Sequence, residues 1–239
     1  MSTVGSRSLF VFAATVLLAG CASRPDISLD KTKTEPIGTV ALLRVSESQN
    51  FVVRNLSGLK ALGGAIGGAI AGGGDDKRTA TLVDSYNRGA VRLSALLIND
   101  LSRELASGGM QVSYTPDEFA KLKGGTDDYS HIKTEKDAIL SVWFGSVGYV
   151  ADGVIDAPYE PWVVLNVRLL HGKTKQVLSQ KTYSAGFKSP FLQGAVFVPC
   201  SAGHRFDTFE KLTSDFKRAV DGLAECESAI IQRAAQDIK

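Results

Sequence analysis

The stretch Ala138-Ile139-Leu140-Ser141-Val142-Trp143-Phe144-Gly145-Ser146-Val147-Gly148-Tyr149-Val150 decides the fold. It carries no charge and is rich in β-branched and aromatic residues, the composition of a long strand. Trp162 to Leu170 and Val177 to Phe187 repeat that composition. Residues 151–161, with Pro158 and Pro161, join the first two runs. His171-Gly172-Lys173-Thr174-Lys175 separates the last two and reads as a hairpin turn. The three runs predict an antiparallel meander.

Outward from the meander, helices flank it. Tyr86, Ala90, Leu93, Leu97, Leu101 and Leu105 recur every three or four residues, which predicts one helix from Thr79 to Ser107, stopped by Gly108-Gly109. Near the C-terminus, Phe209, Leu212, Phe216, Val220, Leu223, Ile230 and Ala234 predict a second long helix, opened by Asp207 or Thr208. Thr39–Val45 reads as a strand, Ser46–Asn50 as a turn, Phe51–Val53 as a return strand and Gln111–Tyr114 as a short strand. Pro116-Asp117-Glu118 predicts a brief helix that Gly124-Gly125 ends. Residues 188–206 form an apolar loop whose Phe191 and Phe197 are expected to fold beneath the C-terminal helix, a contact surface for a partner being the alternative. The expectation is an α+β fold: an antiparallel or mixed sheet, made of the meander plus N-terminal strands, with two long helices on one face.

The N-terminus carries a different signal. Arg7 precedes the uncharged run Leu9–Leu18, which is too short to span a bilayer as a mature helix. Leu17-Leu18-Ala19-Gly20-Cys21 closes that run and resembles the lipobox of bacterial lipoproteins. The resemblance implies that residues 1–20 are a signal peptide and that Cys21 is lipidated as the first mature residue. Ala22 and Ser23 follow the cysteine, which resembles the default export to the outer membrane, with the domain on the periplasmic side. Residues 21–37, polar and holding Pro25 and Pro36, are expected to be a lipidated tether, and 38–239 a single periplasmic domain.

Two further cysteines remain, Cys200 and Cys226. In an oxidising periplasm they form a candidate disulfide, closing a loop worth about 3.5 kcal/mol in the chain-entropy view; two separate thiols are the alternative.

Gly58–Gly74 is a glycine-rich insertion, with eight glycines in seventeen residues. Gly63 and Gly67, and Gly64, Gly68 and Gly72, recur every fourth residue, a spacing that lets helix backbones approach closely in lipid. The segment resembles a single glycine zipper of outer-membrane lipoproteins. Interior glycine costs a helix about 1 kcal/mol relative to alanine. The run is therefore expected to be either a loop in water, or a helix held in a membrane, against a partner or in an oligomer.

Catalytic and metal signatures do not emerge. There is no Gly-x-Ser-x-Gly, and Gly172-Lys173-Thr174 lacks the earlier glycine of a phosphate loop, because Val167 stands there. His131, His171 and His204 have no histidine partner at i+4. Asp127-Asp128 and Asp152/Asp156 read as solvated loop charges. Without residues 1–20 the balance is 26 Lys and Arg against 25 Asp and Glu, with no long basic run, so nucleic acid is not an expected partner. No cofactor and no metal are expected. The expected function is non-catalytic: a membrane-anchored envelope lipoprotein that binds a protein or envelope component, or self-associates. The alternatives are a glycine-zipper oligomer that inserts into the membrane, and an enzyme that uses Cys200 with His204 nearby.

Overall fold

The computed structural model describes residues 26–32, 34–56, 65–153 and 157–239, with the backbone alone for 65–73. Its elements in chain order are β1 (Thr39–Leu43), β2 (Phe51–Asn55), α1 (Ala65–Arg88), α2 (Leu93–Ser107), β3 (Gln111–Thr115), β4 (Lys121–Lys123), β5 (Thr126–Asp128), β6 (Ala138–Ala151), β7 (Tyr159–His171), β8 (Val177–Gly186), β9 (Val196–Val198), α3 (Phe209–Ser214) and α4 (Phe216–Ile238). The fold is α+β, built on a mixed sheet with helices packed against it.

β6 is the hub of the sheet. Along one edge it pairs antiparallel with β7, and β7 with β8, so the meander is as the composition predicts. The other edge of β6 is shared by two parallel strands. β1 takes its first half, with Val40–Leu42 beside Ala138–Leu140, and β2 takes its second, beside Val147–Ala151. β3 extends β1 in parallel, and β9 extends β8 in parallel.

β2 is thus not a return strand paired with β1. The register of β6 shifts between Phe144 and Val147, a bulge that ends one pairing region and opens the next. Gly148 follows at φ 154°, and a Cβ there would collide with the Val52 carbonyl oxygen. The absent side chain is what admits β2.

The expected helix over 79–107 is two helices. Residues 89–92 break it, and Ala90 is exposed in the break. Arg92 fixes the turn: its guanidinium donates to the carbonyls of Gly89 and Val91 at 2.8 Å and of Asn87 at 3.2 Å, groups that the end of α1 leaves free. Glu47 fixes the other side, accepting from Ser94 N and Oγ at the start of α2 and from the Tyr86 hydroxyl at 3.0 Å. Tyr86, Leu93, Leu97, Leu101 and Leu105 are all buried, so the periodicity identified the right face across the break.

α1 begins within the glycine run, at Ala65. A helix is therefore present where repeated glycine disfavours one. Its second half is held by β2: Thr79 Oγ1 accepts from Val53 N, and Asp75 Oδ1 from Asn55 N. Adding residues to an existing helix is far cheaper than nucleating one, so the anchored half extends toward the glycines. Gly67, Gly68 and Gly72 lie in α1, while Gly63 and Gly64 lie outside the described residues. Among the described residues, no helix is long and apolar enough to cross a membrane.

The C-terminal helix is also divided. Thr208 caps α3 by accepting from Lys211 N, and Asp215 opens α4 by accepting from Arg218 N. α2 and α4 pack together on one sheet face, where the leucines of α2 meet Leu223, Ile230, Ile231, Ala234 and the sheet residues Val163, Leu165, Val167 and Leu169. Gly222 lets α4 sit close: a Cβ there would lie 2.7 Å from the Tyr149 hydroxyl, which donates to Ala219 O at 2.8 Å. No helix forms at 116–118. Residues 121–128 are the hairpin β4–β5, turned by Gly124 (φ 58°) and Gly125 (φ 81°), the two positive φ values of a type I′ turn.

The expected tether is shorter than its composition implied. Ile27 forms an antiparallel bridge with Gln180 of β8, and Leu29 and Ile37 pack against the core. The segment from 26 onward belongs to the domain.

Candidate functional site

Strand residues alternate between faces. In β7, Val163, Leu165, Val167 and Leu169 meet the helices, so Trp162, Val164, Asn166, Arg168 and Leu170 point to the opposite face. Through the register, Ser141 and Trp143 of β6, Gln180, Thr182 and Ser184 of β8, and Phe197 of β9 share that side. The β4–β5 segment covers only its β1 end, where Tyr129 and Ile132 pack on Ala41, Leu43, Ile139 and Leu170. The remainder is an aromatic and polar face with no helix on it among the described residues.

Arg168 organises the centre. Its side chain is buried, yet its donors are used: Nε donates to Gln180 Oε1 at 2.6 Å, and Nη1 to Asp127 Oδ2 at 2.8 Å and to the Tyr129 hydroxyl at 3.0 Å. A buried guanidinium needs such partners. The guanidinium carbon also lies 5.4 Å from the Trp143 ring centroid, within cation–π range. Asp127 is therefore not a free loop charge, as its polar surroundings in sequence suggested.

Around this centre the face is tied by side-chain pairs. Thr182 Oγ1 donates to Asn166 Oδ1 at 2.8 Å, and Trp162 Nε1 donates to Ser184 Oγ at 3.1 Å. Trp162 meets Phe187 edge to face at 6.1 Å. Trp143, Trp162, Asn166 and Thr182 remain partly exposed. Toward the β9 edge, Phe197 is 38% exposed, with Lys188 Nζ 5.7 Å above its ring. Held aromatic rings beside an arginine and amide groups are the composition of protein-interface cores.

The loop before β9 corrects an expectation. Phe191 is 81% exposed, and neither it nor Phe197 is tucked beneath α4. Phe206 takes that place, edge to face with Tyr149 at 5.6 Å. β9 turns Phe197 outward because Val196 and Val198, its neighbours, are the residues that pack on the helix side.

Cys200 and Cys226 are disulfide-bonded, with Cα atoms 5.1 Å apart. Bonded in this way, Cys200 holds no free thiol for nucleophilic chemistry. His204 Nε2 pairs with Glu225 Oε2 at 2.9 Å, which helps dock the loop on α4. Cys21 and Asp156 lie outside the described residues. A cleft of about 690 Å³ separates residues 27–37 from the β7–β8 turn and brings Asp137 near His171. Their polar atoms serve the backbone there. Asp137 Oδ2 accepts from Gly38 N and from Thr39 N and Oγ1, bonds that hold its carboxyl below the usual range, and His171 Nδ1 accepts from Lys173 N and Thr174 N. Among the described residues no group of three or more His, Cys, Asp or Glu is placed to hold a metal ion.

Composition alone missed the aromatic face. Its signal was present as the period-two exchange of Asn166 and Arg168 with Leu165, Val167 and Leu169, which marks a strand wet on one side. β9 left little signal, since a three-residue edge strand has no period to read.

No family model matches the chain, and a comparison with curated proteins finds no match. Three solved structures that align with the chain do so at TM-scores below 0.5. A Xanthomonas campestris protein of the DUF330 family is 10% identical, with 87% of each chain covered and a TM-score of 0.44. A hypothetical protein from Chlamydia trachomatis is 11% identical over 85% of this chain and 98% of its own, with a TM-score of 0.39. A lipoprotein from Neisseria meningitidis is 10% identical over 64% of this chain and 84% of its own, with a TM-score of 0.28.

Proposed function

We propose that this chain is a lipid-anchored protein of the bacterial cell envelope, held at the outer membrane through Cys21, and that it acts by binding rather than by catalysis. The observation that carries the reading is Leu17-Leu18-Ala19-Gly20-Cys21 at the end of an uncharged run. The Cys200–Cys226 bond supports it, because such bonds persist in oxidising compartments. The binding surface is the aromatic face around Trp143, Trp162 and Asn166, and the partner is a protein or another envelope component. Two arms test this. An alkyne fatty-acid label should attach to the wild-type chain and be lost in Cys21→Ser; labelling that survives the substitution refutes the anchor. A photo-crosslinking residue at Asn166 should give a discrete adduct in intact cells, and one at Arg103, on the helix side, should not. Equal adducts at both positions, or none at 166, remove the aromatic face from the account.

A further inference from the structure

The chain is tied to β8 at Ile27, the seventh residue of the expected tether. Ile27 N donates to Gln180 O at 2.7 Å, Gln180 N donates back to Ile27 O at 2.7 Å, and Ser179 Oγ adds a bond to Ile27 O at 3.0 Å. Six Cα steps separate Cys21 from Ile27. Even fully extended, they reach about 20 Å. A lipid on Cys21 therefore holds a bilayer close to one particular edge of the sheet.

The direction of exit narrows this further. Ile27 runs antiparallel to β8, so the chain leading back to Cys21 leaves toward residues 181–186. The same edge of β8 there carries β9, with Val196 opposite Tyr183. What the edge displays is apolar. Phe191 is 81% exposed, Phe197 38% and Ile27 37%. Lys188 is the single charge between Phe187 and Pro199, and from Pro161 to Phe206 the sequence has no Asp or Glu. Exposed aromatics beside a lysine match the boundary between acyl chains and headgroups, where rings insert and a lysine reaches the phosphates, while Asp26, exposed next to Ile27, adds a carboxylate where the chain leaves the edge.

We infer that the β8–β9 edge lies on the bilayer, with Phe191 inserted at the headgroup level and Lys188 facing lipid phosphate. This rests on the lipoprotein reading of Cys21 and adds an orientation to it. The aromatic face around Trp143, two strands in from that edge, then stands beside the membrane and not on it.

The test uses the lipidated protein in vesicles of phosphatidylethanolamine and phosphatidylglycerol. A spin label is placed at Phe191→Cys, or at Leu122→Cys on the β4–β5 tip, where the native side chain is 79% exposed. Collision with oxygen reports lipid, and collision with a nickel chelate reports water. The expected result is an oxygen-to-nickel ratio several-fold higher at 191 than at 122. A Phe191→Trp variant quenched by brominated lipid gives the same answer without a new thiol. Equal, water-like ratios at both positions in protein that mass spectrometry shows to be acylated on Cys21 overturn the orientation and leave the anchor intact. A label at 191 shielded from both reagents overturns it in favour of a protein partner. Absence of acyl chains on Cys21 overturns the anchor and the orientation together.

Discussion

The two faces of the central strands differ in kind. Toward the helices, β7 presents Val163, Leu165, Val167 and Leu169, which are buried among leucines of α2 and aliphatics of α4. On its other side, one residue out of step, it presents Trp162, Asn166 and the buried Arg168, whose Nε and Nη1 are partnered. The first face is held by removal of apolar area from water, which is non-directional and tolerates no polar atom without a partner. The second is held by directed pairs and leaves rings and amides at the surface. One face therefore carries stability, and the other is free to carry recognition.

Substitutions can break this contrast in graded steps. The largest loss is expected from Leu101→Ala, at the centre of the helix side. It should cost about 2–5 kcal/mol in denaturant unfolding, the range for a buried leucine deletion. A cost below about 1 kcal/mol would mean that α2 is not within the cooperative core. Opening the Cys200–Cys226 bond by Cys226→Ser follows, at about 3.5 kcal/mol for the loop it closes. It should also loosen the β9 edge while leaving the aromatic face in place, readable as hydrogen exchange confined to residues 196–206.

The next step sharpens the rule against unpartnered polar groups on the helix side, because α4 violates it once. Glu227 is 1% exposed, and neither carboxylate oxygen has a hydrogen-bond partner among the described residues. Burial first, and then Glu47 from the β1–β2 loop and Asp100 from α2, push its pKa well above the ordinary value. The folded state thus keeps a proton that the unfolded chain has already released. Stability falls as pH rises above the ordinary carboxylate value, until the raised folded value is passed. Glu227→Gln should remove that slope, gaining about 1–3 kcal/mol at pH 8 and almost nothing at pH 4. A loss at pH 8 would show that the carboxylate has a partner. Asp237, ten residues on, behaves oppositely. Burial alone would raise it, but hydrogen bonds from Lys181 and Tyr183 outweigh that and lower its pKa, so its contribution is present above the ordinary value and is lost as pH falls through the lowered one. The smallest effect is expected at Phe191→Ala, within about 0.5 kcal/mol of wild type, because an exposed ring outside the core adds little to folding. A larger cost would mean that the ring packs on the domain.

The same contrast explains what could be read from the chain. The meander, the α2 leucines and the buried stripe of α4 were legible because burial imposes a period on local sequence. The cysteine pair was legible by counting. β2 was not: its partner lies 96 residues away, and what admits it is a missing side chain at Gly148. The break at 89–92 was hidden because the leucine spacing continues across it, while the groups that make it, Arg92 and Glu47, lie off the apolar stripe. The aromatic face asked for a different reading, of which residues in a strand are polar and not of which are apolar.

The Ile27–Gln180 bridge has a mechanical consequence. With Cys21 lipid-anchored as proposed, a pull between membrane and domain would enter the fold at that bridge. While it holds, the tether is six steps long. If residues 26–38 peel away, the next strand-held residue is Thr39, and the reach from Cys21 grows from about 20 Å to about 60 Å. On that proposal the bridge would act as a clutch that sets how far from the bilayer the domain can range. Stretching the chain from its amino end should show it as an early, low-force step of about 40 Å, and an Ile27→Pro variant, which lacks the amide that donates to Gln180, should begin already extended.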